Sequence, residues 1–146
     1  MAANLLHRML NRAHRAVLAV SGGRLGWTLG SMPVVELHTV GRTTGKRRSA
    51  MLTAPVHGGG RYVLVASKGG APRHPAWYLN LLANPDVELT VADRTFPMRA
   101  RTASVQERAE LWPRIIAEYP GYAGYQRRTT RQIPVIICEP RPGDGS

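Results

Sequence analysis

The chain has 146 residues, 43% of them hydrophobic and 20% charged, enough for one domain with a sizeable core and too few for two ordinary ones. Lys and Arg number 20 against 9 Asp and Glu, a formal net charge of +11, so an anionic partner is expected: nucleic acid, an anionic membrane surface, or a phosphorylated or polycarboxylate ligand. Cys138 is the only cysteine, which excludes an intrachain disulfide, and the absence of an apolar run near about 18 residues or of a signal-peptide hydrophobic region points to a cytoplasmic location.

From Leu5 to Val17, the residues Leu5, Leu6, Met9, Leu10, Ala13 and Val17 share one helical face, and His7, Arg8, Asn11, Arg12, His14 and Arg15 share the other. Such a basic amphipathic helix either packs on its own domain or lies on an anionic bilayer. Ser21-Gly22-Gly23 ends it, and residues 1–32 read as this helix followed by a loop or short turn around Trp27. Pro33–Val40 reads as a strand entering the basic stretch Gly41–Ser49, with Ser49–His57 as its partner across a hairpin. Gly58-Gly59-Gly60 turns the chain into Arg61–Ser67, a third strand that suggests a meander. After the loop Lys68–Pro75 a helix carries Trp77 to Leu82 and stops at Asn84-Pro85. Val87–Val91 and Phe96–Thr102 form a second hairpin, and Pro97 requires an edge position or a bulge.

Ser104-Val105-Gln106-Glu107 is a capping box that opens a helix through Ile116, with a kink expected at Pro113. Ile133–Glu139 is the last strand, an apolar run that makes Cys138 core and not nucleophile, and residues 141–146 read as a frayed tail. Residues 33–140 are then one folded domain of about six strands, mostly hairpin-connected, with short helices between. The class is α+β, mainly β: a small barrel with helices at its edges.

Within Gly41–Ser49 four cations, Arg42, Lys46, Arg47 and Arg48, stand with the hydroxyls of Thr43, Thr44 and Ser49 between two glycines. That composition suits a phosphate or polycarboxylate cradle, and equally a solvated basic hairpin. The five histidines lack paired ligand spacing, so no metal site is expected. No Gly-x-Ser-x-Gly elbow or phosphate-loop spacing is present, and the carboxylates are scattered, although Glu36 lies on a strand with an inward option. What remains is binding equipment: the cationic hairpin, the Ser67–Gly70 loop at a strand end, the helix start at Trp77-Tyr78, and Tyr119, Tyr122 and Tyr125, whose spacing of three can share a helical face. A basic barrel that binds nucleic acid or a membrane surface without catalysis stays open on composition.

Specific stretches settle more. Gly41-Arg42-Thr43-Thr44-Gly45-Lys46-x-Arg48, Val65-Ala66-Ser67-x-Gly69-Gly70, Pro75-x-Trp77-Tyr78-Leu79-Asn80-Leu81-x-Ala83-Asn84-Pro85, and Trp112 through Tyr119-Pro120-x-Tyr122-x-x-Tyr125 with Ile133-Pro134-Val135 resemble the deazaflavin-dependent nitroreductase and F420H2-dependent quinone reductase family. The match runs from about Val34 to Pro140. The resemblance implies a split β-barrel related to FMN-binding barrels, and coenzyme F420, with FMN a weaker alternative, as hydride carrier. It implies that Arg42, Thr43 and Thr44, with Arg48, Ser49, Ala50, Met51, Leu52 and Thr53, hold the coenzyme's ring edge, phosphate and acidic tail. Val65, Ala66, Ser67 and Lys68 would continue the pocket, Ala76, Trp77, Tyr78, Leu79 and Asn80 would present a helix start with free N–H groups, and Tyr122 would touch cofactor. Ser67, Tyr122 and Tyr125 are expected to bind substrate or donate a proton, because the coenzyme supplies the hydride chemistry. The expected acceptor is a hydrophobic quinone-like, other conjugated or nitro compound, reached from an anionic membrane surface through the first helix, with no nucleic acid partner. Thr53 stands where some nitroimidazole-reducing members carry tyrosine, which favours quinones or conjugated carbonyls over bicyclic nitroimidazoles.

Overall fold

A computed structural model describes residues 28–29 and 32–141; the helix expected over Leu5–Val17, the turn at Ser21-Gly22-Gly23 and the tail beyond Arg141 lie outside them. Among the described residues eight antiparallel strands form one sheet: β1 (Thr28–Leu29), β2 (Met32–Val40), β3 (Arg47–Thr53), β4 (Val56–Gly58), β5 (Arg61–Val65), β6 (Asp86–Val91), β7 (Arg94–Thr102) and β8 (Val135–Pro140). Three helices accompany it there: α1 (Ala76–Ala83), α2 (Val105–Glu118) and α3 (Gly121–Arg127), with a single 3₁₀ turn at Lys68–Gly70. The sheet runs β1-β2-β6-β7-β8-β5-β4, and β3 pairs with β2 as well. β3 therefore lies at one extreme of the sheet and β4 at the other, yet only Ala54 and Pro55 separate them in the chain. Two residues cannot span a flat sheet of this width, so the sheet curls until its extremes meet, which gives the split β-barrel with flanking helices.

The expected single strand Ser49–His57 is therefore two. Pro55 has no N–H to give a ladder, and the N–H of Ala54 donates to Pro33 O at 2.9 Å, which ends the β2–β3 pairing there. β4 then pairs with β5, whose other neighbour is β8, so the expected three-strand meander is broken at this step. The last strand begins at Val135, two residues later than expected, and β1 adds a two-residue strand against Met32 and Pro33 where only a loop or turn was read. Pro97 pairs with Glu88 on one side, while the register with β8 begins only at Met98, so the proline sits where β7 is locally an edge. The capping box is present: Ser104 Oγ accepts from the Glu107 N–H at 3.1 Å and Glu107 Oε1 accepts from the Ser104 N–H at 2.9 Å. The helix it opens runs on through Pro113, which lies on the exposed side.

Strand alternation supplies two cores. Val35, Leu37, Leu64, Leu89, Ile136 and Cys138 point into the curl, where Trp77 and Leu81 of α1 close over them. Their neighbours Val63, Val135 and Ile137 point outward and are covered by Leu111 and Ile115 of α2 and Tyr122 of α3. β5 and β8 are buried on both faces, which is why they read as continuous apolar runs. Each fully buried Leu or Ile contributes about 2 kcal/mol, and burial pushes the Cys138 thiol up to about 12, consistent with core and not nucleophile.

The helices are fixed to the sheet's connections by close contacts. Gly70 has φ +81°, and a Cβ there would stand 2.6 Å from the Tyr125 carbonyl oxygen and 2.9 Å from Arg128 Cβ, so α3 packs against the Lys68–Gly70 turn through a glycine. Gly70→Ala combines that clash with a strained φ and is expected to cost about 2 kcal/mol, read as a lower denaturant midpoint at unchanged slope. An unchanged midpoint would show that α3 does not rest on the turn.

Candidate functional site

The basic stretch divides into a turn, Gly41–Lys46, and the start of β3. The turn closes by Gly41 N–H to Lys46 O and Gly45 N–H to Gly41 O, each 2.8 Å, with Gly45 at φ +68°. Thr44 Oγ1 accepts from the Lys46 N–H at 3.2 Å, so this hydroxyl shapes the turn. Arg42 donates from its backbone N–H and from Nη1 to Asn80 Oδ1, at 3.2 and 2.9 Å, while Asn80 Nδ2 donates to Thr39 Oγ1 at 3.3 Å. Asn80 is buried on α1, so its side chain anchors the turn to the helix. Arg47 pairs with Glu88, whereas exposed Lys46 and Arg48 have no acidic partner among the described residues. Thr43 is exposed beside them.

Along β3 alternate side chains separate. Ala50 and Leu52 pack toward the core inside the curl, and Met51 is buried on the opposite face. On that opposite face Ser49 Oγ is bonded to His38 Nδ1 at 2.9 Å, and Thr53 Oγ1 shares a 3.0 Å hydrogen bond with the Tyr122 hydroxyl. β3 pairs only with β2, so its outer edge offers backbone groups from Arg48 to Thr53 whichever way the side chains point. Thr53 lies five positions beyond Arg48, about 17 Å along the strand.

At the Thr53 end three tyrosines converge. Ring centroids lie 5.2 Å apart for Tyr119 and Tyr122, 6.0 Å for Tyr122 and Tyr125, and 6.2 Å for Tyr119 and Tyr125, and the Tyr119 and Tyr125 hydroxyls are 3.3 Å apart. Tyr122 and Tyr125 share α3, as the spacing of three requires, while Tyr119 caps the end of α2. Burial pushes the Tyr122 phenol above its ordinary value, and burial with the Tyr119 hydrogen bond pushes Tyr125 up to about 12. Both phenols therefore keep their protons at neutral pH.

Val65 and Ala66 are buried and lead into Ser67, which is 9% exposed and whose hydroxyl has no partner among the described residues. The backbone N–H groups of Ser67, Lys68 and Gly69 are likewise unpaired, and Lys68 is held at φ +45°, uncommon for a residue with a side chain. α1 begins after Pro75 with no capping side chain, which leaves the N–H groups of Ala76 and Trp77 without acceptors among the described residues. The side chains of Trp77, Tyr78 and Leu79 belong to the core inside the curl, and the Tyr78 hydroxyl is bonded to Thr102 Oγ1 at 3.1 Å. From 76 to 80, then, the helix offers a ligand its backbone, not its side chains.

Two groups of residues not singled out by sequence hold these parts in place. Buried His38 bridges three strands, with Nε2 on Thr90 Oγ1 at 2.8 Å besides its bond to Ser49. Arg131 donates to the carbonyls of Ala66, Ser67 and Ala71 and to His74. An arginine that makes four internal bonds is indistinguishable in sequence from one that faces water. Among the described residues no group of three metal-ligating side chains is assembled and no helix is long and apolar enough to cross a membrane.

A family model described as F420H(2)-dependent quinone reductase matches residues 10–140. An F420H(2)-dependent quinone reductase of Mycobacterium tuberculosis is 41% identical over 137 residues, 90% of this chain and 91% of that protein. A solved F420-H2 dependent reductase, FDR-A, superposes with a TM-score of 0.66 at 44% identity, covering 73% of this chain and 94% of that one. A second solved structure, a domain-swapped dimer, gives a TM-score of 0.69 at 38% identity over 87% of this chain and 96% of its own. A match of that extent, over most of the chain, means that the chain belongs to the F420H(2)-dependent quinone reductase family.

Proposed function

We propose that the chain binds coenzyme F420 along the open edge of β3 and reduces a quinone-like acceptor beside the tyrosine cluster. The observation that carries this reading is the arrangement along one strand: cations with no acidic partner among the described residues at the Arg48 end, and protonated phenols, Tyr122 buried and Tyr125 half-buried, at the Thr53 end. An elongated ligand with a redox head and an anionic tail fits that order.

The donor set fits the coenzyme. Lys46 and Arg48 would hold carboxylates of its tail, with Arg42, Thr43 and Thr44 shaping and lining the turn. The unpaired N–H groups of Ser67, Lys68 and Gly69 and of Ala76 and Trp77 suit phosphate oxygens. When bound, reduced F420 supplies a hydride. The chain's own residues exclude water and place protons. Tyr122, 7% exposed, has Thr53 on its oxygen; with Thr53 donating, the phenol hydrogen is left for an acceptor oxygen. Tyr125 and the Ser67 hydroxyl are the further donors in reach of this pocket, and a phenol that resists ionisation is suited to hydrogen-bond a developing oxyanion. Nitro compounds are a second acceptor class for the same donors. A basic amphipathic helix, expected from the sequence over Leu5–Val17, would bring the cytoplasmic enzyme to the anionic inner face of a membrane, where a hydrophobic quinone resides.

Binding of oxidised F420, followed by its fluorescence, is expected to weaken as salt is raised and to fall about tenfold in Arg48→Ala, the loss of one charge-assisted bond. Affinity that ignores both changes rejects the placement of the tail. Tyr122→Phe should lower kcat for quinone reduction at least about tenfold while coenzyme affinity changes less than about twofold. Equal losses in both would make Tyr122 a binding residue. The full chain should co-sediment with vesicles containing anionic phosphatidylglycerol and not with neutral phosphatidylcholine vesicles; equal behaviour toward both removes the membrane assignment.

A further inference from the structure

Arg131 lies between α3 and β8, and four of its five guanidinium N–H donors are used inside the molecule. Nη2 donates to Ser67 O at 2.8 Å, Nε to Ala71 O at 2.9 Å, and Nη1 to Ala66 O at 3.2 Å and to His74 Nδ1 at 3.1 Å. No carboxylate pairs with it among the described residues. Its three carbonyl acceptors belong to one turn, through which Lys68, Gly69 and Gly70 run at φ +45°, +63° and +81°. That run of left-handed conformations is costly for Lys68 and persists because the surroundings impose it. The fourth acceptor, His74, precedes Pro75, where α1 begins, and its ring meets the Tyr78 ring edge-on at 5.0 Å. One guanidinium thus joins the turn that presents the unpaired Ser67–Gly69 N–H groups to the helix start that presents those of Ala76 and Trp77. A guanidinium only donates, so His74 Nδ1 must be the unprotonated nitrogen of a neutral ring.

We propose that Arg131 is a positioning residue that sets the spacing of the two backbone anion sites for the coenzyme, and that neutral His74 completes the clamp while protonated His74 releases it. The inference rests on the F420 reading above for its ligand. The charged and titratable groups around His74 are Arg131, Tyr78 from α1, and Arg108 of α2, which lines the same cleft of about 190 Å³. No carboxylate lines that cleft, and burial first, then the Arg131 charge, push the His74 pKa below 6.5. Since the folded chain favours the neutral ring, the clamp is complete above the ordinary histidine range and is lost as pH falls below it.

Arg131→Lys keeps the charge but replaces the fork by one nitrogen, which cannot serve four acceptors. In the coenzyme-free chain, amide exchange at Gly70 and Ala71, whose N–H groups close the turn onto Ser67 O and Lys68 O, is expected to quicken about tenfold in this variant at neutral pH, with the strands β7 and β8 unchanged. In the assay the KM for F420H2 should rise about tenfold, with kcat at saturating coenzyme and the quinone KM within about twofold of wild type. His74→Gln offers Arg131 an amide oxygen that does not titrate; it should keep the neutral-pH KM and abolish the rise in coenzyme KM that wild type shows between about pH 7 and pH 5. Unchanged exchange together with unchanged coenzyme KM in Arg131→Lys overturns the clamp, and an acid-side rise that survives in His74→Gln overturns the part given to the histidine. Wild type that binds no F420 defeats the proposed function, whereas the exchange comparison still decides the clamp. Should Arg131→Lys not fold, protection of the Gly70 and Ala71 amides relative to their intrinsic exchange rates in wild type and His74→Gln at low and neutral pH decides instead: protection lost at low pH in wild type alone supports the clamp, and equal protection in both overturns it.

Discussion

Ala54 and Pro55 join β3 to β4, and because those strands stand at opposite extremes of the hydrogen-bonded order, the sheet has to curl. Much else follows from this short connection. The curl creates an inside, filled by Val35, Leu37, Leu64, Leu89 and Ile136 and closed by α1, and an outside, which α2 and α3 cover. It also leaves β3 with one partner only, so a row of backbone donors and acceptors runs free between the basic turn and the tyrosines. A flat sheet would give neither an enclosed core nor an edge flanked by helices.

Around that edge the molecule withholds partners from polar groups in an ordered way. Most buried polar groups in a folded chain are paired, and here Asn80, His38 and Arg131 follow that rule. Among the described residues the Ser67 hydroxyl does not, nor do the N–H groups of Ser67, Lys68 and Gly69 or those at the start of α1. Their unpaired state has a cost that a bound anion or oxygen would relieve. Saturated residues therefore support unsaturated ones, and the support comes from tertiary contacts that reach across many positions of sequence, as from Arg42 to Asn80 and from Ser67 to Arg131.

How far the sequence alone could go depended on the range of the physics involved. Local signals were legible: the capping box at Ser104, the glycines of the basic turn, the apolar run of β8, and the tyrosine spacing that puts Tyr122 and Tyr125 on one helix. The break at Ala54-Pro55 was not, because residues on both sides of it favour extended structure and only the pairing of β4 with β5 separates them. Family resemblance named the stretch from Arg48 to Thr53 and from Ala76 to Asn80 as coenzyme-binding, but could not say which atoms. Alternation along β3 sends Ala50 and Leu52 inward, and core packing takes the side chains of Trp77 and Tyr78. Arg131 and His38 had no signal of their own, since a buried, fully bonded polar residue and an exposed one are written with the same letter.

Cys138 stands at the middle of β8, opposite Tyr62 on one side and Ala100 on the other, with no exposed surface. A redox enzyme thus keeps its one thiol where oxidants and electrophiles cannot collide with it, and where forming the reactive thiolate is strongly opposed. The sulfur becomes accessible only when β5, β7 and β8 separate, so its chemistry is silent in the native state and reports on global opening of the barrel. The chain carries in its own core a label for the lifetime of its fold.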